Sequence, residues 1–377
     1  MGTRTRQLAA AARTISKGEL ARYSGRSIGQ TIRFETLLAA HTGSAHARAV
    51  NSGTSALTCS LAALGVGPGD EVLVPAYTWV SSAAAAVMVG AVPILVEIDQ
   101  SLTMDPVDLE AKITPRTKAI IPVHMLNLPA DMDTIVEIAA RHQLVVLEDA
   151  CQAVGVTYKG RQLGSIGQMG AFSFNDHKNI RAGEGGAFIT NRTDLYERGS
   201  MFHDVGSYQR RGVDLSETAF VGLNLRANEL SSAILIPQLK ALERQMRARA
   251  RRTAVLSDAL GRRDDLTVSP HNSPADAVSL SVNFDDPEKA KRFADAATGV
   301  TRLIDTGRHV YSNWQSILAR RTFDDRVNPW ADCDIDYVGS CPGTTRILER
   351  TCSVSTRPDL PMPVVWKLAR DYSRLSV

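Results

Sequence analysis

The feature that most constrains the fold is an alternation of short apolar runs with helical patterns between about residues 50 and 190. The apolar runs predict strands at residues 71–75, 92–97, 118–124, 144–149, 170–174 and 187–190. Patterns of helical spacing lie between them, at residues 55–64, 80–89, 105–113 and 131–142. This alternation predicts an α/β fold with a mainly parallel central sheet flanked by helices on both faces.

A long uncharged stretch, residues 72–96, has the length of a membrane span. Polar residues and helix breakers interrupt it at Pro75, Ser81, Ser82, Gly90 and Pro93. It therefore predicts a strand, a buried helix and a second strand, and no membrane segment.

Composition excludes other classes of protein. With 44% hydrophobic and 22% charged residues, the 377-residue chain is typical of globular proteins and not of disordered ones. Its 43 basic and 40 acidic residues are dispersed, so nucleic acid is not an expected partner. The five cysteines are far apart, which argues against a metal site and predicts a reducing, cytoplasmic compartment.

The pattern changes after about residue 260. A helical stretch at 228–260, with a kink or break at Pro237, is followed by a strand pattern at 278–284 and helical patterns at 287–298 and 361–374. We predict a large domain at residues 20–260 and a smaller C-terminal α+β domain at 261–377. The N-terminal segment, residues 1–19, is expected to pack with the small domain or with a dimer partner.

Arginine recurs within the helical stretch, at residues 244, 247, 249, 251 and 252. These positions spread around a helix, so we interpret the arginines as a solvent-exposed face and not as a nucleic-acid patch.

Two motifs have residue types that suit a ligand site but also a simpler structural role. Residues 51–57, Asn-Ser-Gly-Thr-Ser-Ala-Leu, open a helix with small residues whose backbone N–H groups suit a phosphate, although such a sequence is more often a helix cap. Glu148 and Asp149 end an apolar strand, where side chains point into the ligand crevice of an open α/β sheet. An acid capping the next helix is an equally good interpretation.

The most specific motif is residues 173–186, in which Lys178 follows a strand end and precedes a glycine-rich turn. This arrangement brings an amine to a cofactor aldehyde, whereas a lone lysine is usually a surface residue. Asp176 and His177 have side chains suited to an acid/base pair or a metal, but no second His or Cys cluster lies nearby, so no metal is expected.

Ser173-Phe174-x-x-x-Lys178 with Gly183-Glu184-Gly185-Gly186 resembles the lysine motif of the DegT/DnrJ/EryC1/StrS aminotransferases. Further matches follow in the family's order, at residues 51–54, 75–79, 129–133, 148–153 and 222–226. The resemblance covers about residues 20–245 and implies a fold-type I enzyme that uses pyridoxal 5′-phosphate (PLP).

The resemblance also implies roles for individual residues. Lys178 binds the cofactor covalently and, once freed, moves a proton between the substrate carbon and the cofactor's C4′. Asp149 keeps the pyridine nitrogen protonated, which makes the ring an electron sink. Trp79 stacks on the ring, although core packing is the simpler role for a tryptophan, and Gln152 lies near the phenolic oxygen.

The implied phosphate site combines two parts of one chain with a second subunit. Its residues are Gly53, Thr54, Ser55 and Ser173, with Asn224 from the partner of a homodimer that has shared active sites. The alternative for Asn224 is a cap on the helix that begins near residue 228.

The chain departs from the family pattern in places. His177 replaces a small residue, the glycine usual before the segment 129–133 is replaced within residues 125–128, and the C-terminal region matches only at 309–314 and 341–342. The substrate pocket is therefore not identified from the sequence.

The implied activity transfers an amino group from glutamate or glutamine to a keto sugar or keto-cyclitol, in natural-product or glycan biosynthesis. The alternative is a PLP-dependent dehydratase, decarboxylase or other lyase on the same fold. Dehydratase branches of the family replace the lysine with histidine, so Lys178 argues against that branch, while the neighbouring His177 keeps it in view. Retention of Lys178, Asp149 and Gln152 argues against a catalytically silent relative.

Overall fold

The computed structural model describes residues 2–23, 28–206 and 218–376. The helices are α1 (Thr3–Lys17), α2 (Gln30–Thr42), α3 (Gly53–Ala63), α4 (Ser81–Met88), α5 (Pro106–Ala111), α6 (Met132–Arg141), α7 (Thr193–His203), α8 (Glu229–Leu239), α9 (Leu242–Leu260), α10 (Pro287–Ala296), α11 (Gln315–Leu318), α12 (Pro342–Arg350) and α13 (Met362–Arg374). The strands are β1 (His46–Val50), β2 (Glu71–Pro75), β3 (Val92–Val96), β4 (Thr117–Ile120), β5 (Val145–Asp149), β6 (Thr157–Tyr158), β7 (Arg161–Gln162), β8 (Met169–Ser173), β9 (Gly186–Thr190), β10 (Thr267–Val268), β11 (Leu280–Asn283), β12 (Val300–Arg302) and β13 (Thr351–Val354).

Seven strands form the central sheet, in the order β1-β9-β8-β5-β4-β2-β3. The pairs from β3 to β8 are parallel, and β9 runs antiparallel to both of its neighbours. The predicted mainly parallel sheet is confirmed. Strand β1 was not predicted, because its sequence contains His46 and Arg48; the Arg48 guanidinium is buried through a hydrogen bond from Nε to the Ser200 hydroxyl at 3.1 Å.

Apolar layers cover both faces of this sheet. Val72 and Val74 of β2 belong to a cluster that includes residues of α3 and α4, whereas Leu73 belongs to a second cluster with residues of α2, α6 and α8. Successive strand residues point to opposite faces, so a strand covered on both sides must be apolar throughout. The uncharged stretch 72–96 forms β2, α4 and β3, as predicted.

Among the described residues, no helix has both the length and the apolar character needed to cross a bilayer. The predicted helical stretch at 228–260 forms two helices, and Pro237 lies in the last turn of α8, just before the break.

A second sheet, in the order β10-β11-β13-β12, is antiparallel and lies in the C-terminal part of the chain. Its apolar cluster includes Leu256, Val282, Phe293 and Tyr372. Between β12 and α12, however, the chain returns to the central sheet.

Val310, Trp314, Trp330 and Tyr337 from this returning segment pack in the same cluster as β2. The Tyr337 hydroxyl donates to the Pro93 carbonyl in β3 at 2.6 Å. Helix α1 packs against α8. The division at residue 260 and the dimer contact of the N-terminal segment stay predictions.

Candidate active site

A cavity of about 490 Å³ lies at the carboxyl ends of β2, β5 and β8. This edge of a parallel sheet is where open α/β proteins bind ligands. Seven of the predicted site residues line it: Gly53, Thr54, Trp79, Asp149, Gln152, Ser173 and Lys178.

Asp149 lies at the base of the cavity and is almost fully buried. Its Oδ2 accepts a hydrogen bond from the Ser82 hydroxyl at 2.7 Å, and its Oδ1 accepts from the backbone N–H of Cys151 at 3.1 Å. Burial and the Asp149 charge raise the pKa of the Cys151 thiol well above its ordinary value, so the thiol stays protonated. Ser82 was not predicted as a site residue. The sequence feature that could have indicated it is the pair of hydroxyl residues, Ser81 and Ser82, within an apolar stretch.

Glu148 points to the opposite face of β5 and has a structural role. Its carboxylate accepts hydrogen bonds from His124 Nε2 and from the backbone N–H groups of Gly164, Ile166 and Gly167. Because strand residues alternate in direction, only the second acid of the Glu-Asp pair faces the cavity. Asp149 caps no helix, since a turn follows it.

The first turn of α3 forms another wall. Ser52 is its N-cap, and its Oγ accepts from the backbone N–H of Ser55 at 3.1 Å. A Cβ at Gly53 would lie 2.8 Å from the Cβ of Ser173, so no larger residue fits there without a shift. Backbone N–H groups in the first turn of a helix lack helical acceptors and attract anions.

Ser55 differs from its predicted position. Its hydroxyl donates to Asn51 Oδ1 at 2.6 Å, and Ser55 is not among the residues lining the cavity, whereas Ser52 and Thr54 are. Both the hydroxyl and the backbone N–H of Ser55 are used in bonds within this turn, to Asn51 and to Ser52. Ser52, the N-cap of α3, lines the cavity although it was not predicted as a site residue.

The loop between β8 and β9 brings Lys178 to the cavity. Its backbone N–H donates to the Asn175 carbonyl at 3.0 Å. The glycine-rich turn that follows packs against the start of α3, and a Cβ at Gly186 would overlap the Ser52 carbonyl. The glycines are therefore needed for the lysine loop to lie beside the anion-attracting turn.

Trp79 contacts a segment from the C-terminal half of the chain. Its ring lies 5.2 Å from the His309 ring, and the Arg308 guanidinium lies 4.6 Å from its centroid. The Thr78 N–H donates to the His309 carbonyl at 3.0 Å, which fixes the segment over the cavity. Burial and the Lys178 charge lower the pKa of His309, so its imidazole is neutral near pH 7.

A second cavity, of about 380 Å³, adjoins the first and shares Gln152, His177, Lys178 and His309 with it. Gln152 Oε1 accepts from the Leu126 N–H at 3.1 Å. Leu126 and Asn127 have φ angles of 55° and 64°, in the left-handed region that glycine adopts without strain.

The second cavity also contains Arg249. The interpretation of the α9 arginines as a solvent-exposed face is wrong for this residue, because its side chain turns from α9 into the cavity between the two sheets. Periodicity within one helix does not reveal a second sheet packed against it.

Asn224 does not join the cavity residues. It is exposed, and its backbone pairs with that of Asp204. The alternative role as a helix cap is wrong, because Asn228 caps α8, its Oδ1 accepting from the Ser231 N–H at 2.8 Å.

Asp176 is exposed and lines neither cavity, while His177 lines both. Within residues 2–23, 28–206 and 218–376, no three His, Cys, Asp or Glu side chains are arranged to hold a metal ion.

The sheet order and the lysine loop at its carboxyl edge define a fold-type I PLP enzyme. A sequence model of the DegT/DnrJ/EryC1/StrS aminotransferase family matches residues 5–362. The chain belongs to this family of PLP-dependent aminotransferases.

The chain is also similar to individual enzymes of known name. The 3-amino-5-hydroxybenzoate synthase of Amycolatopsis mediterranei is 36% identical over 340 residues, 89% of this chain and 85% of that enzyme. The GDP-perosamine synthase of Caulobacter vibrioides is 41% identical over 247 residues, 65% of this chain and 66% of its own length. A crystal structure of 3-amino-5-hydroxybenzoic acid synthase superposes with a TM-score of 0.82 at 30% identity, covering 98% of this chain and 95% of that one.

Proposed function

We propose that this chain binds PLP in the 490 Å³ cavity and transfers an amino group from glutamate or glutamine to a keto sugar or keto-cyclitol. The observation that supports it best is that Lys178 and Asp149 line one cavity with the first turn of α3. An amine, a buried carboxylate and an anion-attracting turn are the three groups that a phosphorylated pyridine aldehyde needs. The named relatives make amino sugars and an aminated ring.

The described residues fit this cofactor. Asp149 Oδ2 has one hydrogen bond, from Ser82, and Oδ1 one, from a backbone N–H, so the carboxylate can accept another from a ring N–H. Gly53 leaves space beside Ser173 where any side chain would intrude. Thr54 and Ser173 carry hydroxyls suited to phosphate oxygens.

Each residue would then have a defined role. Bound PLP supplies an electron sink for the bond-breaking step. Asp149 holds the proton on the ring nitrogen, and the Nζ of Lys178 moves the proton of the substrate carbon. Trp79 would hold the ring by stacking, and the Gln152 amide would offer a hydrogen bond to one of its polar atoms. His309 is neutral and adds no second cation beside Lys178.

We further propose that the active unit is a homodimer in which Asn224 completes the phosphate site of the partner. Two exposed apolar residues precede it in the chain, Val221 at 89% and Leu223 at 50% exposure. Large exposed apolar side chains next to an exposed amide are typical of a surface that another chain covers.

Absorption spectra of the purified protein test the activity. Addition of L-glutamate or L-glutamine should convert the aldehyde form of the cofactor to the amine form, and a keto-cyclitol or nucleotide keto sugar should restore it. The Lys178→Ala variant should show neither change. If wild-type protein with bound PLP is converted by no amino donor, the proposal fails and a lyase activity becomes the better hypothesis.

A further inference from the structure

Arg249 of α9 is a half-buried cation whose charge is poorly compensated. Its Nε is buried and has no hydrogen-bond partner among the described residues. The carboxylate that acts on it is Asp359, which is exposed and already pairs with Arg357 at 2.6 Å. Burial lowers the pKa of the guanidinium, because a buried charge loses contact with water. Such an arrangement destabilises a protein unless an anion is supplied.

The surroundings of Arg249 favour a negatively charged ligand. Arg249 lines the 380 Å³ cavity that it shares with Lys178, and none of the described residues lining that cavity is acidic. Hydroxyl groups form much of the remaining wall: Ser279, Thr301, Ser353, Ser355 and Thr356. A guanidinium and several hydroxyls suit a ligand that carries both a carboxylate and other polar groups.

The size of the cavity restricts the ligand further. Its 380 Å³ is near the lower end of the range of about 300–1,000 Å³ typical of small-molecule sites. An amino acid or a single substituted ring fits that space. A guanidinium also matches the two oxygens of a carboxylate in one plane.

We propose that Arg249 binds the carboxylate of a substrate and so holds that substrate beside Lys178. The catalytic use of this site rests on the proposed aminotransferase activity, whereas the binding does not. The carboxylate has two sources, an amino-acid donor or a ring acceptor that carries an acid group. Both present the same chemistry to Arg249, and only their skeletons differ.

Binding of stable analogues tests the proposal on the holoenzyme. Glutarate represents an open-chain donor and 3-hydroxybenzoate a ring acceptor; glutaramide and 3-hydroxybenzamide are their uncharged counterparts. Calorimetric titration of the wild type should show at least one acid binding about tenfold or more tightly than its amide. The skeleton that shows this preference identifies the source of the carboxylate.

The Arg249→Met variant should lose the preference, and Arg251→Met, which removes an exposed arginine of the same helix, should keep it. Without ligand, Arg249→Met should unfold at the same temperature as the wild type or higher, because a poorly compensated buried charge is removed. If Arg249→Met does not fold, Arg249→Gln takes its place with the same expected loss of preference. The absence of any preference for acids in the wild type, or its survival in the variant, overturns the proposal.

Cofactor spectra separate this inference from the proposed activity. Carboxylate binding that depends on Arg249, without conversion by any amino donor, leaves the anion site standing and rejects the aminotransferase. Conversion of the cofactor without such binding rejects the anion site alone.

Discussion

The Asp149 carboxylate accepts a 2.7 Å hydrogen bond from the hydroxyl of Ser82, in the first turn of α4. Ser82 is itself fixed by Thr78, whose hydroxyl lies 2.8 Å away. These two hydrogen bonds connect Thr78, which follows β2, with Asp149 at the end of β5. The orientation of the Asp149 carboxylate therefore depends on both hydroxyls.

Replacing Asp149 with Ala should lower turnover by roughly three orders of magnitude, because the ring nitrogen loses the carboxylate that keeps it protonated. Ser82→Ala should cost about tenfold, since it removes one orienting hydrogen bond and leaves the charge in place. Half-transamination rates with saturating donor measure both. Near-normal turnover in Asp149→Ala would show that the cofactor lies elsewhere.

Borohydride reduction should attach the cofactor permanently to the peptide that contains Lys178, as mass spectrometry of a digest would show. The chain has other lysines as internal controls, for example the exposed Lys159, which pairs with Asp133. Lys178→Ala should yield no adduct and no half-transamination, although it should still fold, because Lys178 is only half-buried. Recovery of the adduct on another lysine would contradict the assignment.

Mixing Lys178→Ala with Asn224→Ala subunits should restore activity above that of either parent. In a dimer with shared sites, one site of the mixed species carries both substitutions and the other carries neither. We expect the symmetric interface to bury more than about 2,000 Å². Failure to recover activity, despite subunit exchange and a clear defect in the Asn224→Ala parent, would argue that Asn224 does not act in the neighbouring subunit.

Gly53→Ala should weaken cofactor binding and lower the unfolding free energy by about 1–3 kcal/mol. The added methyl would lie 2.8 Å from the Ser173 Cβ and 3.0 Å from the Cys151 sulfur, which have little space to move. Gly67→Ala is the matched control, because its methyl would approach nothing closer than the Val89 carbonyl at 3.8 Å. Equal cofactor affinities in the two variants would mean that the α3 turn does not contact the phosphate.

Stability should fall with acid partly through His203 at the end of α7. Burial and the charge of Arg48 lower the pKa of His203 to about 3, so the folded state keeps it neutral while the unfolded chain protonates near its ordinary value. This stabilisation is complete above about pH 6.5 and is lost as the pH falls toward 3, about 2 kcal/mol of it by pH 5.

His203→Asn removes the titrating group and keeps a donor for the Ser200 carbonyl, which His203 Nδ1 contacts at 2.5 Å. Denaturant unfolding between pH 7 and 5 should therefore show a shallower loss of stability in the variant. Parallel curves for the two proteins would mean that His203 does not titrate with the expected shift.

The sequence predicts the central sheet well because its parallel strands are buried on both faces and therefore continuously apolar. Strand β1 could not be predicted in this way, because it contains Arg48. The buried Arg48 side chain is hydrogen-bonded to Ser200, more than 150 residues away, and no local sequence pattern reveals that partner. Asp149 ends β5 and Lys178 lies in the loop after β8, so the topology determines which edge of the sheet they reach, while the family resemblance supplies their roles. Arg249 and His309 were not predictable, because their place beside Lys178 depends on how the C-terminal half packs on the first sheet.

The returning segment that carries Val310, Trp314 and Tyr337 packs the C-terminal part of the chain against the central sheet. A fragment ending at residue 260 would leave the β2–β3 side of the sheet without its aromatic cover and the cavity without Arg308 and His309. Excision at that point should give an insoluble product, and heating the intact protein should give one cooperative transition. Residues that are more than 100 positions apart in the sequence, such as Lys178 and Arg308, therefore line the same cavity.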